Sequence, residues 1–378
     1  MKVAIINISD KIGGSAIAAF RLSQALRKYF GTKFLFLVRS KSVEDADIFQ
    51  TAQGTLKAKI ERFWNIGFNL LGLQYVLLPF SPWFILEKLK EEKPDVVNIN
   101  NTVGGFFMTS HIRDISQKFP VVWTLHDMWA FTANGAHTFG DEAWKNLKPA
   151  KNEKRIFPTI GINTGRWLIN RKKSIYKHCD FSVVVPSKWL YNMAIQSPVL
   201  AGKPIYHIPH GLDLEKFRVL EKELIRMKLG LPQEAKVIIF IAQRIKNNFF
   251  KGGEDLFKIL SEINAKTSFP IHVLLMGGEE IPELLELKNL IIHPLGYVSE
   301  EEKIIECLNA ADIFLYPTRA DNFPLVLLET IACGTPCVTF DVGGCGEIIQ
   351  DNSSGYLIKD FDTEKAAIKM LEALANPN

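Results

Sequence analysis

Short, nearly continuous apolar runs alternate with longer stretches in which apolar residues recur every three or four positions, through most of the chain. In the first half the runs are VAIINI, FLFLV, DVVNI, VVWTL, FSVVV and IYHI; in the second they are VIIFIA, IHVLLMG, NLIIHP, DIFLYP, CVTF and YLI. They are rich in β-branched residues and bounded by turn formers, which predicts strands. Strands that are apolar on successive positions have both faces covered, as in a parallel sheet between two helix layers. GSAIAAFRLSQALRKYF, EDLFKILSEINAK and EEEKIIECLNAAD carry the helical period between them. The predicted fold class is α/β, with two Rossmann-like doubly wound domains. IPHGLDLEKF gives way to the charged helix RVLEKELIRMKLG, so a hinge is placed near Asp213, dividing the chain into residues 1–212 and 213–378. Ligands bind beyond the carboxyl ends of such strands, and two domains facing each other would form a central cleft.

Two stretches break the alternation. Residues 141 to 173 are basic and punctuated by Pro and Gly, which suits either a solvated surface loop or an acceptor-side loop attracting an anionic lipid or phosphate. FWNIGFNLLGLQYVLLPFSPWF, from Phe63 to Phe84, is the nearest approach to a membrane span, but Asn65, Asn69, Gln74 and Pro79 interrupt it. A helical hairpin packed on the core is the preferred reading; an interfacial segment dipping into lipid competes with it.

Composition narrows the class. Hydrophobic residues make up 47% and charged residues 23%, and 45 basic against 41 acidic side chains leave a net charge of +4. That surplus is too small to imply nucleic-acid binding and is compatible with an anionic substrate or membrane surface. The five cysteines, Cys179, Cys307, Cys333, Cys337 and Cys345, form no CxxC pair and are expected to be buried reduced thiols, with no disulfide framework or zinc site. MKVAIINISD begins a strand at once, with none of the regions of a signal peptide, so the expected compartment is the cytoplasm.

Candidate chemistry gathers at strand–helix turns. After the first strand, ISDKIGGSAIAAFRL carries Gly13 and Gly14, where backbone amides at a helix start can meet an anion. The full GxGxxG fingerprint is absent, which disfavours a nicotinamide or flavin enzyme. In YPTRADNFPLVLLETIACGTPCVTFDVGGCGEII the strand DIFLYP ends, a loop brings Asp321 and Asn322, and a helix opens near Pro324 with amides suited to a phosphate. Glu329 follows Asp321 by eight positions on an otherwise apolar helix face of Leu325, Leu328 and Ala332. Carboxylates at this spacing can accept hydrogen bonds from hydroxyls along one ligand; the alternative is an acidic cap plus a surface glutamate. RIKNNFFKGG places Arg244 and Lys251 after the VIIFIA strand, either as a solvated loop or as counter-charges for a phosphate. His126 in TLHD ends a strand at a carboxyl edge, with Asp127 beside it.

The D-x7-E stretch resembles the E-x7-E motif of retaining glycosyltransferases with the GT-B fold, particularly glycosyltransferase family 4. DNFP, LET, ACGTPCV and FDVGG resemble a bacterial subgroup making colanic acid and capsule. NISDKIGGSAIAAFRL, VVWTLHDMWAFT, VVPSKWL, HIPHGLDLEKF and AQRIKNNFFKGGEDL match in the same order, so the resemblance runs from residue 7 to about 359. It implies transfer of a sugar from a nucleotide-diphosphate donor, with retained configuration, to a glycan or lipid-linked acceptor. Glu329 would hold the ribose; Asp321, Asn322 and the amides around Phe323 and Leu325 the sugar and phosphate; Arg244 and Lys251 the diphosphate; and His126 would assist beside the donor sugar. Neither metal nor other cofactor is implied, and base choice would fall to the backbone near Gly296–Tyr297.

The resemblance is imperfect. NGAHTFGDEAW stands where a Gly- and Cys-containing run is expected, NNFF lengthens the stretch between Arg244 and Lys251, and the family pattern continues past LEALANPN with helices that return to the first domain. A nucleotide-sugar epimerase of the same fold or a non-catalytic two-lobed sugar-binding protein are the alternatives. No nucleic-acid partner is expected, and peripheral contact with the inner face of a membrane is allowed.

Overall fold

The structure is a computed structural model describing residues 1–52, 54–241, 249–277 and 282–375. Two compact units make up the chain, Met1–Gly211 and Leu212–Asn378.

Among the described residues, the first unit holds seven strands: β1 (Lys2–Ser9), β2 (Lys33–Ser40), β3 (Ile48–Gln50), β4 (Val96–Ile99), β5 (Val121–Thr124), β6 (Ser182–Val185) and β7 (Ile205–His207). All pair in parallel in the order β3-β2-β1-β4-β5-β6-β7. The second unit holds six: β8 (Lys236–Ile241), β9 (Ile271–Met276), β10 (Leu290–Gly296), β11 (Ile313–Tyr316), β12 (Cys337–Phe340) and β13 (Gly355–Ile358). These too are parallel, ordered β10-β9-β8-β11-β12-β13. Each sheet starts at its centre, grows to one side and then returns to grow on the other. The reversal falls between β1 and β4 in one and between β8 and β11 in the other, the position at which open α/β sheets commonly bind ligands.

The continuous apolar runs have a direct structural cause. Val3 and Ile5 of β1 pack with Phe34, Phe36 and Val38 in one layer, while Ala4 and Ile6 join Leu35, Leu37 and Val97 in the other. Likewise Ile238 and Phe240 of β8 face one core, Val237 and Ile239 the other. All twelve runs form strands. The additional strand, β3, is a three-residue edge in which only Ile48 is buried.

Both irregular stretches differ from the sequence reading. Residues 63–84 form no single unit packed on the core: helix Thr55–Leu70 ends inside them and helix Ser81–Glu92 begins there. Tyr75, Leu78 and Ile85 are buried, whereas Phe63, Leu70 and Leu71 face solvent. Residues 141–173 are no plain solvated loop either. Trp144, Glu153 and Ile160 are buried, two 3₁₀ turns punctuate the stretch, and helix Gly165–Tyr176 takes up its last part. The five cysteines are buried free thiols. Among the described residues no helix is long and apolar enough to cross a membrane.

Candidate active site

In the second unit the chain leaves β11 at Tyr316 and enters helix Leu325–Ala332. Pro324 stands just outside that helix in an extended conformation, one position earlier than a proline inside the first turn. The opening amides of an α-helix have no intrahelical acceptor, so those of Leu325 and Val326 are available to an anion.

Lys251 closes a 3₁₀ turn, Phe249–Lys251, immediately before helix Gly253–Lys266. Its Nζ donates to Asp321 Oδ2 at 3.0 Å and to the Tyr316 hydroxyl at 3.2 Å, while that hydroxyl donates to Asp321 Oδ2 at 2.7 Å. The three groups close a ring of hydrogen bonds. Burial opposes the charge on Lys251, but the oxygens of Tyr316 and Asp321 outweigh it and hold the ammonium cationic well beyond its ordinary range. Burial, reinforced by Asp321, keeps the Tyr316 phenol protonated.

Two glycines permit this approach. A Cβ on Gly252 would stand 1.8 Å from the carbonyl oxygen of Pro317, and one on Gly343 would stand 1.7 Å from that of Asp321. Both have positive φ, 65° and 56°, which an L side chain resists. A second clamp lies behind the ring: Arg319 Nε and Nη2 donate to Asp255 Oδ2 and Oδ1 at 2.6 and 2.7 Å, and the amide of Arg319 donates to the Phe250 carbonyl at 2.9 Å. Asp255 is buried, so a bidentate guanidinium is the partner its charge requires.

Glu329 is buried within helix Leu325–Ala332 and presses on Cys333 one turn later, where burial and then the Glu329 charge push the thiol up to about 12. Asn322 is buried, and Phe323 packs its ring on the core. The structure thus brings Lys251 and Asp321 into contact and sets Glu329 in the helix that follows Asp321. Arg244 lies outside the described residues.

In the first unit, Gly13 precedes helix Gly14–Phe30 with φ of 94°, and a Cβ on Gly13 or Gly14 would meet nothing within 4 Å. Asp10, before them, is spent on structure: its carboxylate accepts from the amides of Lys11, Ser42 and Val43 and the hydroxyl of Ser42.

His126 follows β5, and its Nε2 lies 3.0 Å from Asn100 Oδ1. The tautomer can be read from the chain of partners behind it. Asn98 Nδ2 donates to the carbonyl of Val122 at 3.1 Å, Asn98 Oδ1 accepts from Asn100 Nδ2 at 2.7 Å, and so Asn100 Oδ1 must accept from His126. The backbone carbonyl cannot donate, which fixes both amides and puts the imidazole proton on Nε2. The His126 ring also stacks on His210, with centroids 5.3 Å apart. Burial, and then His210, lower its pKa to about 3. Asp127 beside it is raised by burial to about 6, although the Trp129 amide donates to its Oδ1 at 2.8 Å. Lys172 is buried behind both, donating to the carbonyls of Trp129 at 2.5 Å and Thr132 at 3.2 Å, and burial lowers its pKa to about 7.

Sequence reasoning missed Tyr316, the Arg319–Asp255 clamp and the Asn98–Asn100 relay. The paired asparagines of NINN after an apolar run were the available signal for the relay; Tyr316 reads as one more apolar strand residue.

The Glycosyltransferase Family 4 profile matches residues 12–216, and that of Glycosyl transferases group 1 matches residues 235–376. The chain is 30% identical over 180 residues, 47% of its length and 46% of the relative's, to N-acetyl-alpha-D-glucosaminyl L-malate synthase of Bacillus anthracis. It is 28% identical to D-inositol 3-phosphate glycosyltransferase of Rhodococcus erythropolis, over 88% of this chain and 72% of that one. Against the putative colanic acid biosynthesis glycosyl transferase WcaC of Escherichia coli it is 24% identical, over 72% of this chain and 59% of that one. The chain therefore spans about half the length of several curated relatives it matches. Among solved structures, sucrose-phosphate synthase of Thermosynechococcus elongatus aligns with a TM-score of 0.69 at 17% identity, covering 100% of this chain and 90% of that one. Anabaena HepE in complex with UDP-glucose aligns at 0.63 and 16% identity, covering 99% and 90%. At such identities the likeness is one of fold, the GT-B arrangement of two Rossmann-like units.

Proposed function

Because the chain belongs to glycosyltransferase family 4, we propose that it transfers a sugar, with retained configuration, from a nucleotide-diphosphate donor to a glycan or lipid-linked acceptor in bacterial surface polysaccharide synthesis. The observation that carries this reading is the Lys251–Tyr316–Asp321 ring at the end of β11, beside a helix start. Both bonds to Asp321 fall on Oδ2, so Oδ1 is left to accept from a sugar hydroxyl. Lys251 stays charged in this setting and faces the diphosphate together with the amides of Leu325 and Val326. Glu329, farther along the helix, takes the ribose hydroxyls, and Arg244 adds the second cation. A departing diphosphate gains negative charge, and fixed cations and amides stabilise that change without reorganising.

In the transfer, the bond between the anomeric carbon and the diphosphate oxygen breaks. The acceptor hydroxyl oxygen bonds to the same face, and its proton leaves on the departing phosphate oxygen. His126 is neutral and serves there as a hydrogen-bonding group, not as an acid. UDP-glucose in the HepE complex supports a nucleotide-sugar donor, and the WcaC likeness supports a surface-polysaccharide acceptor. The charges supplied by these residues leave no task for a metal, so turnover is expected to persist with a chelator present.

The test is calorimetric titration of UDP, GDP and ADP into the wild type, Glu329→Ala and Lys251→Ala. One nucleotide should bind the wild type, and each variant should weaken it roughly tenfold or more. Wild-type affinity in the Glu329 variant would refute the assignment.

A further inference from the structure

Helix Thr55–Leu70 is amphipathic in the reverse sense. The face turned toward the protein is polar. Glu61 is 4% exposed and accepts from the Ser81 amide at 2.8 Å, the Phe80 amide at 3.2 Å and the Ser81 hydroxyl. Asn65 lies against Gly105, and the Asn69 carbonyl accepts from the amides of Gly72 and Gly161. The face turned to solvent is apolar: Leu56, Ile60, Phe63, Ile66 and Leu70 are 70%, 42%, 73%, 46% and 62% exposed. Their spacing of three or four residues puts them in one stripe along the helix. The stripe continues into exposed Leu71 and Ile162, the latter tied by its amide to the Leu70 carbonyl at 3.0 Å.

A helix that only packs on its own domain turns its apolar stripe inward, so this pattern calls for an apolar phase outside the protein. Charge identifies that phase. Lys57 and Arg62 are exposed on the flanks of the stripe and Lys59 within it, where its long stem can carry the ammonium out to the phosphates, while Glu61, the helix's only acid, is turned inward and engaged. Lys59 and Arg62, with Arg39 and Gln50, also line a pocket at the ends of β2 and β3, where the three cations outnumber the one carboxylate, Glu61, which is already engaged by Ser81. A second copy of the chain is a poor occupant. A two-fold contact would set these cations against their own images with no exposed acid of the helix to pair them.

We propose that this face docks on an anionic lipid bilayer, with the helix lying in the membrane plane. Leu56, Ile60, Phe63, Ile66 and Leu70 enter the acyl boundary, and Lys57, Lys59 and Arg62 sit at phosphate level. The proposal rests on the first unit alone and does not require the transferase reading.

Full-length protein is sedimented with vesicles of phosphatidylcholine, with and without phosphatidylglycerol. The wild type should partition roughly tenfold or more in favour of the anionic vesicles. Ile60→Asp with Phe63→Asp should cut partitioning to both kinds roughly tenfold. Reversing Lys57, Lys59 and Arg62 to Glu should abolish the preference for phosphatidylglycerol. Circular dichroism and thermal melting of the same variants, unchanged from wild type, show that they are folded, and nucleotide titration, which reads the second unit, keeps failure of this proposal separate from failure of the donor-site reading. The proposal is overturned if the wild type stays in the supernatant, or if the aspartates leave sedimentation unchanged. A wild-type dimer that Phe63→Asp turns into a monomer would equally overturn it.

Discussion

His126 shows how placement sets protonation. Its folded pKa of about 3 lies below its ordinary 6.5, so protons bind the unfolded chain more readily. Its contribution to stability is complete above pH 6.5 and declines as pH falls from there toward 3. Asp127 acts in the opposite direction: its folded value, about 6, exceeds 3.8, so ionisation favours unfolding and stability is lost as pH rises between those values. The two slopes oppose each other over that interval. Asp127→Asn should remove the falling component and leave urea midpoints rising with pH toward 6.5, which denaturation across the interval measures. Nitrogen-detected NMR should find the His126 proton on Nε2 and no titration near 6.5. A histidine titrating at its ordinary value would contradict the burial described.

At the scale of elements, close packing separates glycines that hold the fold from those that leave room. Gly343→Ala would force a Cβ to 1.7 Å from the Asp321 carbonyl oxygen at φ of 56°, and should cost about 2 kcal/mol or more. Nucleotide affinity should fall with it, since the displaced loop carries Asp321. Gly14→Ala is the counterpart. No neighbour lies within 4 Å, so stability should stay within about 0.5 kcal/mol of wild type while the Michaelis constant for any substrate approaching that turn rises. Thermal melting and steady-state kinetics on both variants check the contrast.

Elements were legible where both faces are buried. β1 and β8 announce themselves because every second residue enters a different core layer. β3 does not, being an edge of three residues with one buried side chain. Residues 141–173 resemble a solvated loop in composition, yet Trp144 and Ile160 anchor the stretch and Glu153 caps buried amides of Asn134 and Gly135. The apolar stretch from Phe63 to Phe84 stands out in the sequence, but composition cannot say which of its side chains face the core. That depends on Glu61 finding Ser81 twenty positions away. Asp321 and Lys251 were readable through the motif; the Arg319–Asp255 pair, separated by 64 positions, was not.

For the whole molecule, each sheet lies between cores of its own, so a ligand held by one unit need not order the other. On the proposed donor site, a nucleoside diphosphate held by Lys251, Glu329 and the Leu325 amide would stabilise the states in which those groups stay assembled. At about a hundredfold its Kd that stabilisation reaches roughly 2.7 kcal/mol. Hydrogen exchange of the full chain should therefore slow across residues 249–256 and 316–332, where the clamp and the site helix must open together. Exchange across residues 33–50, on β2 and β3, should not change. Protection confined to the first unit would mean that the nucleotide binds at Gly13 and Gly14, with the Lys251–Tyr316–Asp321 ring serving structure alone. Protection at the ring, lost in Lys251→Ala, is the outcome expected from the proposed donor site.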